Sequence, residues 1–173
     1  AYASFQGNFV LAGQTGVTVY DLGGSTVMSY DHTMTKPMIA AAAESFLVYD
    51  LGGTTYGVYN AYTQKSSGSC EKGIALGAMS DSGVYAIVTR SAEYRGVLRV
   101  YSPLHTNIAN VYKDKFIMDV QIRSDGSEIL VVSVGDLDGD YNAEVMIFRP
   151  SEQSAKLTLN LGSVLPVQAQ WHE

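Results

Sequence analysis

Ile74-Ala75-Leu76-Gly77-Ala78-Met79-Ser80-Asp81-Ser82-Gly83-Val84-Tyr85-Ala86-Ile87-Val88 is the stretch on which the fold turns. Six small or apolar residues lead into a polar turn with glycine at its end, and a continuous apolar run follows. Such a run, too short for an average helix, suits a strand covered on both faces. Further on, after the polar loop Arg90 to Arg95, comes Val97-Leu98-Arg99-Val100-Tyr101, and then the more polar Ile108-Ala109-Asn110-Val111-Tyr112. The order is therefore inner strand, turn, buried strand, third strand, outer strand.

The same order recurs along the chain. Gly7, Ser45, Gly83 and Gly126 mark one turn at spacings of 38, 38 and 43 residues. Tyr20, Tyr59, Tyr101 and Phe148 mark the aromatic end of the third strand at spacings of 39, 42 and 47. A period of about forty residues matches one four-stranded propeller blade, which cannot bury its own faces and must stack on its neighbours. The expected fold is all-β, a β-propeller with four blade-like repeats at 1–31, 36–70, 73–112 and 116–161 in a single domain spanning 1–173. In the second repeat Met38 to Ala42, Phe46 to Tyr49 and Tyr56 to Tyr59 take the first three roles, and the fourth is lost in the polar stretch Gln64 to Cys70. The alanine-rich segment from Met38 is locally helix-prone, but its innermost-strand slot favours strand. Residues 164–173 read as the innermost strand of a fifth repeat. Two closures fit: a four-bladed ring, or a piece of a six- to eight-bladed propeller, and the piece is the expectation. Its two open blade faces would invite pairing with a second copy.

Composition narrows the class. Net charge is −6, and the eleven Lys and Arg residues are scattered without a run, so no phosphate-tracking stripe is present and no nucleic-acid partner is expected. The longest apolar run, Met38 to Ala43, is far short of the roughly 20 residues that cross a bilayer. Cys70 is the sole cysteine, which excludes an intrachain disulfide and a cysteine-based metal cluster. That sparse use leans towards an address outside the cytoplasm. The start, Ala1-Tyr2-Ala3-Ser4, has neither a basic n-region nor an initiating Met, which suggests a chain beginning inside a longer product.

Val19-Tyr20-Asp21-Leu22 and Val100-Tyr101-Ser102, with the Ser-Asp-x-Gly turns, resemble WD40-like and quinoprotein-like propeller repeats. The Trp-Asp dipeptide and Gly-His pair of true WD40 repeats are absent, and Trp171 is the one tryptophan. The chain is also similar to extracytoplasmic, membrane-anchored propellers of Gram-positive bacteria, which implies a cell-surface or secreted location and no known activity.

Asp136-Leu137-Asp138-Gly139-Asp140-Tyr141-Asn142-Ala143-Glu144 places oxygen side chains at alternate positions. Calcium takes 6–8 oxygens, which a tight loop can supply. The pattern resembles the calcium loops of integrin-type FG-GAP repeats, which implies Asp136, Asp138, Asp140, Asn142 and Glu144 as Ca2+ ligands. Tyr141 departs from that pattern, and a solvated acidic hairpin explains the same residues by turn chemistry alone. His32, His105 and His172 lack ligand spacing, and no nucleophile elbow, phosphate loop or dinucleotide fingerprint is present. Tyr20, Tyr49, Tyr59, Tyr85, Tyr101 and Tyr112 read as blade filler. The functional expectation is a non-catalytic binding or scaffolding module for a protein or glycan partner, using the loops at Arg90–Arg95, His105–Asn107 and Asp136–Asn142. The alternative is an enzyme or sensor propeller whose composite site needs further blades.

Overall fold

A computed structural model describes residues 1–137, 140–152, 155–166 and 168–171. No helix forms among them, and so none is long and apolar enough to cross a membrane. The first sheet contains β1 (Tyr2–Phe5), β2 (Asn8–Ala12), β3 (Gly16–Tyr20) and β4 (Thr26–Asp31). The second contains β5 (Pro37–Ala41), β6 (Phe46–Asp50), β7 (Thr55–Tyr59) and β8 (Gln64–Ser69). The third contains β9 (Ile74–Met79), β10 (Tyr85–Thr89), β11 (Gly96–Tyr101) and β12 (Asn107–Lys113). The fourth contains β13 (Phe116–Ile122), β14 (Ile129–Leu137), β15 (Asp140–Phe148) and β16 (Ala155–Gly162). Each sheet is an antiparallel meander with strands paired in chain order.

The four sheets stack as blades. Innermost strands β1, β5, β9 and β13 touch in sequence, and β5, β9 and β13 each also reach further strands of the preceding sheet. Among the described residues no comparable contact returns from β13 to β1, so the four blades form an open arc. Gly77 lets β9 pack closely on β6 of the second blade: a Cβ there would lie 2.7 Å from the Tyr49 ring and 2.8 Å from Leu47.

Register explains why the repeat was visible. Phe9 pairs with Tyr20, Phe46 with Tyr59, Tyr85 with Tyr101 and Ile129 with Phe148. These pairs occupy equivalent places, and in the second to fourth blades they face the preceding blade. In the second blade Phe46 packs edge-on to Phe5 of the first and stacks on Tyr59, with ring centroids 5.1 and 5.4 Å apart. In the third, Tyr85 stacks on Tyr101 at 4.9 Å. The opposite face of each blade carries Val10, Leu47, Ala86 and Leu130, paired with Val19, Val58, Val100 and Ile147. Three apolar clusters result, one in each seam between adjacent blades. At the two ends of the arc apolar side chains are open: Phe9 and Leu11 on β2, and Leu157 and Leu159 on the outer strand β16, are all exposed.

Several local expectations are corrected. The polar run from Gln64 is a full strand, its residues alternating between partly covered and exposed. The alanine-rich segment, by contrast, is strand β5, as its innermost-strand slot predicts. Tyr112 lies exposed on the outer strand, with its ring 5.1 Å from Tyr94, and fills no seam. Residues 164–166 and 168–171 carry no strand pairing. The Ala169 amide donates to Asp119 Oδ2 at 2.9 Å, and Trp171 Nε1 donates to the Gln121 carbonyl at 3.4 Å. This segment therefore lies beside β13 where an innermost strand would sit, held by isolated bonds without a ladder. Val167, His172 and Glu173 lie outside the described residues.

Candidate ligand groove on one rim

The ends of the strands define two rims. On the rim where the innermost strands begin, a cleft of about 640 Å³ opens between the second and third blades. Its cations come from three places in the chain: Lys36 just before β5, Lys72 just before β9, and Arg90 just after β10. Leu51, Ile74 and Ala75 supply apolar walls, and Ser91 adds a hydroxyl.

Backbone bonds fix this geometry. Asp50, buried at the end of β6, accepts the Lys36 amide on Oδ1 at 2.7 Å. Gly52 donates to the Ile74 carbonyl at 2.8 Å, and Ile74 donates to the Gly53 carbonyl at 2.7 Å, which staples the β6–β7 turn to the start of β9. Gly73 is required by that close approach, since a Cβ there would sit 2.7 Å from the Gly52 carbonyl oxygen. Beyond the cleft, Ser91 Oγ accepts the amides of Glu93 at 3.2 Å and Tyr94 at 2.9 Å, shaping the loop that carries Arg90.

A second depression of about 210 Å³ continues from the first, sharing Ala75 and Arg90 and running over Phe116 and Met118. The guanidinium carbons of Arg90 and Arg95 lie 5.1 and 5.3 Å from the Phe116 ring centroid, within cation–π range. Together the two depressions make a groove across the mouths of blades two to four. Neither depression is lined by a carboxylate, histidine or cysteine. The groups that line the groove are ammonium, guanidinium and hydroxyl, a set suited to holding anions.

Elsewhere all the cations but Lys65 are matched. Arg95 pairs with Asp136 at 2.6 Å, Lys113 and Lys115 both meet Glu144, and Arg123, Arg149 and Lys156 surround the buried Glu128. Arg99 donates to Thr89 Oγ1 at 3.0 Å. Lys36, Lys65, Lys72 and Arg90 are left without a carboxylate partner or side-chain hydrogen bond among the described residues. Three of these four line one cleft.

The expected loops separate. Arg90–Arg95 and Asp136 meet on the groove rim through the Arg95–Asp136 pair. His105–Asn107 follows β11 and lies on the opposite rim. His105 is half-buried at φ 64°, and burial first, then the charge of Lys65, pushes its imidazole below the usual histidine value. His32 Nε2 lies 2.8 Å from the Gly13 carbonyl. Burial pushes the Cys70 thiol up, which suppresses thiolate chemistry.

The acidic segment is extended strand on both sides of residues 138 and 139. Asp136 pairs in register with Tyr141, Gly135 with Asn142 and Ser133 with Glu144. Asp138 lies outside the described residues. Asp140 and Glu144 sit four residues apart on β15, about 13 Å at the strand rise, whereas calcium–oxygen distances are about 2.4 Å. Among the described residues no three carboxylate, histidine or cysteine side chains converge. Calcium ligation by all five residues would require Asp136 to leave Arg95 and Glu144 to leave its two lysines. The expected outcome is an unchanged melting temperature between calcium and chelator; a calcium-dependent rise would favour the calcium-loop reading instead.

Fold and site together define a WD40-like β-propeller module with a cation-lined groove. The chain superposes on Hsv2 of Kluyvelomyces marxianus with a TM-score of 0.62 at 11% identity, covering 99% of this chain and 53% of that one. It also superposes on the Pan2 WD40 domain of Neurospora crassa with a TM-score of 0.58 at 12% identity, covering 91% and 50%. The chain thus spans about half the length of these propellers, and at such identities the likeness shows fold alone. The sequence profile of a family of unknown function, DUF5711, matches residues 1–158, and the chain belongs to that family. No curated protein matches it.

Proposed function

We propose that this propeller segment is a non-catalytic protein-interaction or scaffolding module whose recognition surface is the rim bearing Lys36, Lys72 and Arg90. One observation carries the reading. The groove gathers unmatched cations from separate loops onto a rigid blade frame and is lined by no carboxylate, histidine or cysteine. Loops held by packed blades can present such contacts at low ordering cost. An address outside the cytoplasm belongs to the same proposal, supported by the single cysteine.

The test places a photo-crosslinking residue at Ser91, on the groove, or at Ser151, on the opposite rim, in the cell. A discrete protein adduct is expected at position 91 and not at 151, and the adduct should disappear in an Arg90→Glu background. Equal labelling from both positions, or none from position 91, would overturn the reading.

A further inference from the structure

We infer that the groove running from Lys36 to Met118 binds an extended acidic segment of a partner protein, with carboxylates alternating with apolar side chains. The inference rests on the interaction-module reading above and adds the chemistry of the partner. Three features point to it.

The first is charge. Lys36, Lys72 and Arg90 are exposed, share one cleft, and have no carboxylate partner, in a chain whose net charge is −6 and whose other rim cations are paired. Like charges around one concavity repel each other, and an incoming carboxylate removes that repulsion while gaining charge-assisted hydrogen bonds. Glu71 and Glu93 flank the rim in sequence, but neither lines the groove.

The second feature is shape. The cleft between blades two and three continues through Arg90 into the depression over Phe116. A compact anion would occupy one point of this track, whereas an extended backbone follows its length and can place successive side chains at separate cations. The third is the lining between the cations. Leu51, Ala75, Phe116 and Met118 give apolar contact, and Phe116 and Met118 are exposed despite being large and hydrophobic. A strand-like ligand points alternate side chains in opposite directions, so an acidic–apolar alternation would use both linings.

The test uses the whole chain and fluorescein-labelled dodecapeptides, (Glu-Leu)6, (Glu-Gly)6 and (Lys-Leu)6, followed by fluorescence anisotropy. Saturable binding of (Glu-Leu)6 is expected, with (Glu-Gly)6 several-fold weaker and (Lys-Leu)6 not bound. Lys72→Glu together with Arg90→Glu should weaken binding at least about tenfold. Lys65→Glu, which reverses the unpaired cation outside the groove, should leave it unchanged. All three side chains are exposed, so circular dichroism should show the variants folded. Equal losses from Lys65→Glu and Lys72→Glu would reduce the effect to overall charge and overturn the inference, as would displacement by millimolar inorganic phosphate at constant ionic strength or absence of binding. Persistence of the Ser91 adduct alongside failed peptide binding would leave the interaction module standing and remove only the acidic ligand.

Discussion

Phe46→Ala is expected to lose about 4 kcal/mol, enough to consume a large share of a stability of roughly 5–15 kcal/mol. Phe46 is 0% exposed, and its ring closes the first seam by meeting Phe5 edge-on and stacking on Tyr59. Truncation removes the transferred ring and leaves a cavity that the surrounding strands, each pinned in a four-stranded ladder, cannot collapse to fill. The chain contains its own control. Phe9 holds the equivalent register position, opposite Tyr20 as Phe46 is opposite Tyr59, yet it is 45% exposed because no blade precedes it among the described residues. Phe9→Ala should therefore cost under about 1 kcal/mol. Urea unfolding followed by circular dichroism measures both, and equal losses would show that blade stacking does not set the energy of this column.

That comparison also explains what was legible in the sequence. The seam columns could be read because the same pair of positions must be bulky in every blade, whatever the residues between them do. Phe9 and Tyr20 fit the pattern as well as Tyr85 and Tyr101, although their burial differs, since sequence encodes position in a blade and not whether a neighbour covers it. β8 was hidden for the opposite reason. Its Gln64-Lys65-Ser66-Ser67-Gly68-Ser69 has little strand propensity of its own, and pairing with β7 dictates its conformation. Gly68 even suits its place, since a Cβ there would lie 2.6 Å from the Tyr56 hydroxyl.

The groove was illegible because its defining property is relational. Lys36, Lys72 and Arg90 are isolated in sequence, and nothing in the spelling says that eleven cations would sort into matched and unmatched sets. One signal was available: Lys36 and Lys72 precede an innermost strand by one and two residues, which places them on the same rim. The acidic stretch carries two meanings. Alternating oxygens at 136–144 suit a calcium loop and are equally the spacing of one face of a strand, and the described residues on either side of 138 and 139 pair as a ladder from Ile129–Phe148 to Leu137–Asp140.

Glu144→Gln is the other large effect expected. Glu144 lies on the face of β15 turned towards the third blade, where it accepts from Lys113 at the end of β12 and from Lys115, 3.3 Å away, just before β13. Burial alone would raise its carboxyl, but the hydrogen bond and charge of Lys113, followed by those of Lys115, outweigh this and hold it below the usual carboxylate value. Neutralising it leaves two ammonium groups facing each other in a largely covered seam, at a cost of about 2–3 kcal/mol. The carboxylate is deprotonated more readily in the folded chain than in the unfolded one. Its contribution is therefore complete above about pH 4.3 and disappears as the pH falls from there through the lower folded value. Wild type should lose melting temperature in that acid window more steeply than Glu144→Gln. Subtracting the two curves isolates this site from Glu128, Asp125 and Asp136, whose carboxyls are also held low. A cycle with Lys113→Met separates the pair energy from the desolvation of one partner, because the double variant removes a charge of each sign and should recover part of the loss. Parallel acid profiles, or a loss within about 0.5 kcal/mol of zero, would mean that apolar packing alone holds the third seam and that the lysine–glutamate contact adds nothing to it.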